Sequence, residues 1–146
     1  MRVRMSRWFL LFLVMSLGLA GCDRAEVSEA RPLLTAATAD ETGLGPEVFP
    51  AQVAELVAEN RAIVIDVREA WEFEAGSIPA ATLIPLGTLS DRLDEVPTDQ
   101  PVVLVCRVGN RSGEAYRFLS RLGFTNVHNM VGGMVAWEAA GHDVER

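Results

Sequence analysis

The stretch that decides the fold is Pro101-Val102-Val103-Leu104-Val105-Cys106-Arg107-Val108-Gly109-Asn110-Arg111-Ser112. Residues 101–105 are a short apolar run rich in β-branched side chains, which predicts a buried parallel strand. Residues 112–123 carry apolar side chains at helical spacing, and Gly123 suits the end of that helix. Cys106 therefore lies at the carboxyl end of a strand, in a polar loop before a helix, where open α/β sheets bind ligands.

The loop after this strand favours negative charge. Gly109 allows close backbone approach or a positive φ. Successive loop N–H groups and the following helix N-terminus favour an anion, and Arg107 and Arg111 add two full positive charges. We therefore expect the pKa of the Cys106 thiol to lie below its ordinary value, giving a nucleophilic thiolate. The alternative, a small buried apolar residue, does not suit the polar residues that follow.

Apolar runs and helical patterns alternate on both sides of this stretch. Further strands are predicted at residues 62–65, 83–86 and 126–130, and helices at residues 51–59, 69–75, 88–93 and 134–140. This alternation predicts a single α/β domain, with a small parallel sheet flanked by helices on both faces. The aromatic side chains of Trp71, Phe73, Phe118 and Trp137 are expected in the core.

The N-terminus predicts export. Residues 1–7 are basic and residues 8–20 carry no charge, a pattern typical of a secretory signal and too short to span a membrane comfortably. Leu19-Ala20-Gly21-Cys22 resembles a bacterial lipobox, which implies a signal peptide at residues 1–21 and lipid on Cys22. Asp23 implies retention at the inner membrane if the source is Gram-negative. The alternative is an uncleaved signal anchor.

Three segments follow from this pattern: the signal peptide, a lipidated N-terminus with a flexible linker at residues 22–45, and a folded domain at residues 46–146. Residues 23–45 are rich in Ala, Thr, Glu and Asp without apolar periodicity, which is typical of a linker. We expect a lipid-anchored protein of the bacterial cell envelope, at the periplasmic face of the inner membrane.

Charge and cysteine content restrict the chemistry. The net charge is −7, and it becomes −10 when the three arginines before Cys22 are removed, which disfavours nucleic acid as a partner. The sequence has no lysine, so Schiff-base and P-loop chemistry are excluded. If Cys22 carries lipid, Cys106 has no partner for a disulfide and is left as a free thiol in an oxidising compartment.

Several motifs in a fixed order resemble one known family. They are Asp66-Val67-Arg68, the segment Glu72-Phe73-Glu74-Ala75-Gly76-Ser77-Ile78-Pro79-Ala80-Ala81, Ile84-Pro85-Leu86, the Cys106 loop, and Gly132-Gly133 with Trp137. Together they resemble a single-domain rhodanese of the sulfurtransferase superfamily, over residues 47–145. Ser77 and Ala80 replace a His and a Gly that are usual in the family, in a segment that we expect to be structural.

The resemblance implies a sulfurtransferase that forms a persulfide on Cys106. A donor such as thiosulfate supplies the sulfur, and cyanide or a thiol accepts it, without metal or cofactor. The implied persulfide-binding loop comprises Arg107, Val108, Gly109, Asn110, Arg111 and Ser112. The two arginines are expected to attract the donor's oxygens, although one of them could instead tie the loop to a carboxylate. Related phosphatases have five residues between Cys and Arg, whereas four precede Arg111, which favours sulfur transfer.

Two other functions compete with a thiosulfate:acceptor sulfurtransferase. One is a carrier that hands its persulfide to a specific protein, and the other is a docking module without chemistry. The intact Cys106 and Gly109 argue against the docking module. The remaining polar residues suggest structural roles: Asp66 either faces the pocket or caps the next turn, and Arg68 and Glu72 are spaced to pair. The two histidines, His128 and His142, lack the spacing of metal ligands.

Overall fold

The computed structural model describes residues 43–146, which contain a five-stranded parallel sheet. Its spatial order is β1-β5-β4-β2-β3, with β4 in the centre, so the predicted α/β class is confirmed. The strands are β1 at Glu47–Val48, β2 at Ile63–Asp66, β3 at Thr82–Leu83, β4 at Val102–Val105 and β5 at Val127–Met130.

The central position of β4 in the sheet explains why its sequence is continuously apolar. All four residues of β4 are buried, because helices cover both faces of the sheet. Val102 and Leu104 belong to the apolar cluster that includes Leu119, whereas Val103 and Val105 belong to the cluster that includes Trp137. Alternate side chains of one strand thus fill two separate cores, as the pleat requires.

Four α-helices and two 3₁₀ helices surround the sheet. The α-helices are α1 at Pro50–Ala58, α2 at Ala70–Glu74, α3 at Asn110–Arg121 and α4 at Gly133–Ala139. The 3₁₀ helices are Leu86–Asp91 and Leu93–Glu95. Side chains of α3 and of the first 3₁₀ helix pack in one core, and those of α1 and α4 pack in the other. The prediction of helices on both faces is confirmed.

The structure corrects several element boundaries. The edge strand β1 was not predicted, because two residues carry no periodicity. The strand expected at residues 83–86 is only Thr82–Leu83, and a 3₁₀ helix starts at Leu86. Helix α3 begins at Asn110 rather than at residue 112. The prediction that Trp71 lies in the core is wrong, since it is 69% exposed.

The predicted signal peptide at residues 1–21, the lipid site at Cys22 and nearly all of the predicted linker lie outside the described residues. Within residues 43–146 no helix is both long enough and apolar enough to cross a membrane. The division of the chain into three segments therefore stays a prediction.

Candidate active site

Cys106 follows β4 directly, and α3 starts four residues later, so the loop between them is very short. Gly109 is the residue before α3 and has a φ of 95°, in the left-handed region that glycine adopts without strain. A Cβ atom at Gly109 would lie 3.2 Å from the backbone nitrogen of Gly132. Glycine is therefore required both for the turn and for the close approach of the next loop.

The Cys106 sulfur accepts hydrogen bonds from its own loop and from α3. The backbone N–H of Gly109 donates to Sγ at 3.1 Å, and the Ser112 hydroxyl donates at 3.4 Å. Burial raises the pKa of the Cys106 thiol, since the residue is 1% exposed. Hydrogen bonds from the Ser112 hydroxyl and from the N–H groups of Ser112, Val108 and Gly109 oppose this, and the net pKa is lowered. The predicted direction of the pKa shift is confirmed.

Helix α4 fixes the other side of the loop. The N–H of Met134 donates to the Cys106 carbonyl oxygen at 2.8 Å, and the N–H of Val135 donates to the Arg107 carbonyl oxygen at 3.0 Å. A Cβ atom at Gly133 would overlap the Cys106 oxygen and lie 2.7 Å from the Arg107 carbonyl carbon. The absence of a side chain at Gly133 therefore permits this contact between α4 and the loop.

Arg111 is anchored by Glu72. Its Nη1 and Nη2 atoms donate to the two Glu72 carboxylate oxygens at 2.7 and 2.8 Å, a bidentate pair. Glu72 is 7% exposed, and its Oε2 also accepts the Glu69 N–H at 3.2 Å. The hydrogen bond from Arg111 lowers the pKa of Glu72 to about 2. Of the two roles open to the loop arginines, Arg111 therefore ties the loop to a carboxylate.

The expected pairing of Arg68 with Glu72 is wrong, because Arg68 is held elsewhere. Its Nε and Nη2 atoms donate to the Asp66 carboxylate at 2.6 to 2.9 Å, and Nη2 also donates to the Gly76 carbonyl oxygen at 2.7 Å. Asp66 Oδ1 accepts the Arg68 N–H at 3.0 Å, which confirms its role in capping the turn after β2. Both side chains are buried, so this pair is structural.

The remaining loop residues face solvent. Arg107, Val108 and Asn110 are exposed, and Gly109 is partly exposed. Among the described residues Arg107 is in no ion pair, in contrast to Arg111. Within residues 43–146 the loop thus has one arginine outside any ion pair, Arg107, and one buried sulfur, that of Cys106.

The described residues around the loop include no candidate metal site. Within residues 43–146 no three His, Cys, Asp or Glu side chains are grouped so that they could hold a metal ion. Nδ1 of His128 lies 2.7 Å from the Gly45 carbonyl oxygen, a structural contact. The ring of His142 packs against Trp137, with 4.5 Å between the ring centroids.

The site places the Cys106 sulfur beside an N–H donor of the loop and an O–H donor of α3. The Rhodanese-like domain family matches residues 49–140, most of the described chain. The chain belongs to the rhodanese family. This agrees with the resemblance that the loop and its flanking motifs indicate.

Relatives and solved structures agree with this assignment. An uncharacterized protein of Bacillus subtilis, YqhL, is 46% identical over 78 residues, covering 53% of this chain and 62% of YqhL. The thiosulfate sulfurtransferase GlpE of Pseudoalteromonas translucida is 35% identical over 90 residues, covering 62% of this chain and 86% of GlpE. A rhodanese-related protein of Thermoplasma volcanium superposes with a TM-score of 0.65 and 32% identity, covering 69% of this chain and 98% of that structure. Sulfur transfer in general is therefore supported for this domain.

One residue that contacts the loop, Glu72, escaped the sequence-based prediction of the site. Glu72 is 39 residues from its partner Arg111, so no local spacing reveals the pair. The exposure of Trp71 was also missed, because an aromatic residue in a helical pattern is usually core. The one sequence signal that could have pointed to a role for Glu72 is that this carboxylate stands between two aromatic residues, Trp71 and Phe73.

Proposed function

We propose that the protein is a thiosulfate sulfurtransferase that works through a persulfide on Cys106. The observation that carries the proposal is the pair of hydrogen bonds to Sγ, from the Gly109 N–H and the Ser112 hydroxyl. These donors favour the thiolate, which is the nucleophilic form of cysteine. The name of the relative GlpE supports thiosulfate as the donor.

In the first step the Cys106 thiolate attacks the outer sulfur of thiosulfate. A bond forms between Sγ and that sulfur, the S–S bond of thiosulfate breaks, and its electron pair leaves with sulfite. The donors that hold the thiolate then lie beside the negatively charged persulfide. Arg107, which is exposed and unpaired among the described residues, attracts the dianionic donor.

In the second step cyanide or a thiolate attacks the outer sulfur of the persulfide. The Sγ–S bond breaks and its electron pair returns to Cys106 as thiolate, while thiocyanate or a new persulfide leaves. Neither step needs a general base once the Cys106 thiol is ionised, which its lowered pKa favours. The reaction follows a ping-pong scheme.

The test of this function is steady-state turnover of thiosulfate with cyanide, followed by thiocyanate formation. The wild-type chain is expected to turn over, and Cys106→Ser is expected to lose all activity above background. A control, Ser120→Ala in the exposed part of α3, is expected to keep full activity. Equal rates for wild type and Cys106→Ser would contradict the proposal.

The same proposal includes a lipid anchor on Cys22 at the periplasmic face of the inner membrane. It rests on the sequence of residues 1–23 alone. Metabolic labelling with a fatty acid is expected to mark the wild-type chain and to leave Cys22→Ser unlabelled. Labelling of Cys22→Ser, or none of the wild type, would contradict the anchor.

A further inference from the structure

A polar cleft is bordered by α3, by the edge strand β1 and by its neighbour β5. Its volume is about 370 Å³, at the lower end of the range of about 300–1,000 Å³ that is typical of small-molecule sites. Cys106 does not line this cleft, although its loop does. The lining residues that matter below come from β1, β5, α3 and the loop: Glu47, Asn129, Gly113, Arg117, Val108 and Gly109.

The sheet brings two polar side chains together in this cleft. Glu47 in β1 and Asn129 in β5 are partners in the parallel register, so their side chains project from the same face of the sheet. Leu104, the partner of Asn129 in β4, lies on this face and belongs to the apolar cluster that includes Leu119 of α3. The face that α3 covers therefore changes from apolar to polar toward its β1 edge.

Asn129 is a buried amide that the fold leaves partly unsatisfied. The residue is 9% exposed, and its buried Oδ1 atom accepts no hydrogen bond from any described residue. A buried acceptor without a donor costs free energy that an apolar side chain would not. The other end of the amide, Nδ2, lies 3.5 Å from the position that a Cβ atom would take at Gly113. Since Gly113 lines the cleft, Nδ2 is placed beside it.

Arg117 brings a second nitrogen donor to the same point. Its Nη1 atom also lies 3.5 Å from the Cβ position of Gly113, so the guanidinium and the Asn129 amide both border the space over this glycine. Arg117 is exposed, and within residues 43–146 it is in no ion pair. A guanidinium beside an amide N–H₂ group offers the donors that a carboxylate accepts.

Glu47 supplies the opposite charge. It is exposed and lines the same cleft, yet it is paired neither with Arg117 nor with any other residue that the structure describes. Glu47 and the net charge of −7 would both repel a simple anion. A ligand with an ammonium group as well as a carboxylate complements both charges. Val108 and Val131 add an apolar part of the lining, which suits an aliphatic side chain.

We propose that this cleft binds a free aliphatic α-amino acid and that its occupancy changes the reactivity of Cys106. The carboxylate of the ligand accepts hydrogen bonds from Arg117 and from Nδ2 of Asn129, and its ammonium group donates to Glu47. The ligand also contacts Gly109, whose N–H donates to the Cys106 sulfur at 3.1 Å, and this contact couples the two sites. The inference does not depend on the proposed sulfur transfer.

The experiment titrates the full chain in mild detergent with L-leucine and follows binding by calorimetry. Isocaproate, which lacks the ammonium group, and isoamylamine, which lacks the carboxylate, are titrated in parallel. The cleft variants are Arg117→Gln, Glu47→Gln and Gly113→Ala. The methyl group of the last would make ordinary van der Waals contacts, and alanine favours a helix. The matched control is Arg121→Gln, which changes an exposed arginine of α3 outside the cleft. Thermal unfolding checks that each variant is folded.

We expect L-leucine to bind the wild type with a Kd below about 1 mM, and each analogue to bind about tenfold more weakly. Each cleft variant is expected to weaken leucine binding about tenfold, and Arg121→Gln by less than about twofold. Saturation with leucine is expected to change the rate of Cys106 alkylation by iodoacetamide about fivefold in the wild type and to leave that rate unchanged in Arg117→Gln.

Absence of leucine binding would overturn the site, and equal binding of leucine and isocaproate would overturn it in favour of a plain carboxylate site. Equal affinities of Arg117→Gln and Arg121→Gln for leucine would also overturn it, since the ligand would then lie elsewhere. Leucine binding without a change in the alkylation rate would contradict the coupling to Cys106. None of these measurements uses thiosulfate, so failure of the amino-acid site and failure of sulfur transfer are distinguished.

Discussion

The guanidinium of Arg111 and the carboxylate of Glu72 form a bidentate ion pair, at 2.7 and 2.8 Å, across 39 residues of sequence. Arg111 lies in the first turn of α3, directly beside Ser112, whose hydroxyl donates to the Cys106 sulfur. Glu72 lies in α2, which follows a different strand. The pair therefore links α2 to the first turn of α3, which carries the Ser112 hydroxyl. Glu72 and Arg111 do not contact the sulfur in a hydrogen bond; they position the turn that does.

Glu72→Gln removes one charge of this pair and keeps the size of the side chain. We expect the free energy of unfolding to fall by about 1–3 kcal/mol, because a buried charge-assisted bond is weakened and Arg111 loses its counter-ion. Chemical denaturation measures this change. Glu74→Gln alters an exposed carboxylate of the same helix and is expected to change stability by less than about 0.5 kcal/mol. Equal effects of the two variants would refute the role of the pair.

The same pair makes the stability of the fold depend on pH, and the lowered pKa of Glu72 fixes the sign of that dependence. Glu72 has a folded pKa of about 2 against an ordinary value of 4.5, because Arg111 donates to its carboxylate. Its contribution to stability is therefore full above the ordinary pKa and is lost as the pH falls through that value toward about 2. The stability gap between wild type and Glu72→Gln should narrow over this acid range, as thermal unfolding at a series of pH values would measure. A gap that stays constant would contradict the shift.

Ser112→Ala tests the hydrogen bond to the sulfur. Burial raises the pKa of the Cys106 thiol, and the hydrogen bond from the Ser112 hydroxyl lowers it. Without the hydroxyl the pKa should therefore rise, and the thiolate fraction near neutral pH should fall. The rate of alkylation by iodoacetamide against pH measures both effects. The midpoint of the profile is expected at higher pH in Ser112→Ala and unchanged in Ser120→Ala. An unshifted midpoint in Ser112→Ala would show that the hydroxyl does not stabilise the thiolate.

Gly133→Ala tests the contact between α4 and the loop. Gly133 and Gly141 both have positive φ, 54° and 77°, but only at Gly133 would a Cβ atom overlap the loop backbone. Gly141→Ala should cost about 1–2 kcal/mol of stability, the price of a left-handed conformation alone. Gly133→Ala should cost clearly more and should slow loading of Cys106. Denaturation of the two variants side by side gives the comparison, and equal losses would rule out the packing role.

The core of the fold follows from local pattern, whereas the details of the site do not. Strand β4 is a continuous apolar run and β2 is apolar up to its last residue, Asp66, so the prediction of both was close to the observed bounds. The predicted start of α3 was two residues late, because the helix begins after Gly109 without a side-chain cap. The only sequence signal of the positive φ at this position is the glycine itself. The pairing of Arg111 with Glu72 depends on tertiary packing of two helices, which no spacing in the sequence encodes.

The most direct test of the central claim is peptide-resolved mass spectrometry of the full chain before and after incubation with thiosulfate. The account predicts a gain of one sulfur atom on the peptide that contains Cys106, its removal by cyanide, and no gain in Cys106→Ser. Incubation with a more reactive persulfide donor serves as the second arm. If neither donor adds sulfur to Cys106, the persulfide mechanism is contradicted.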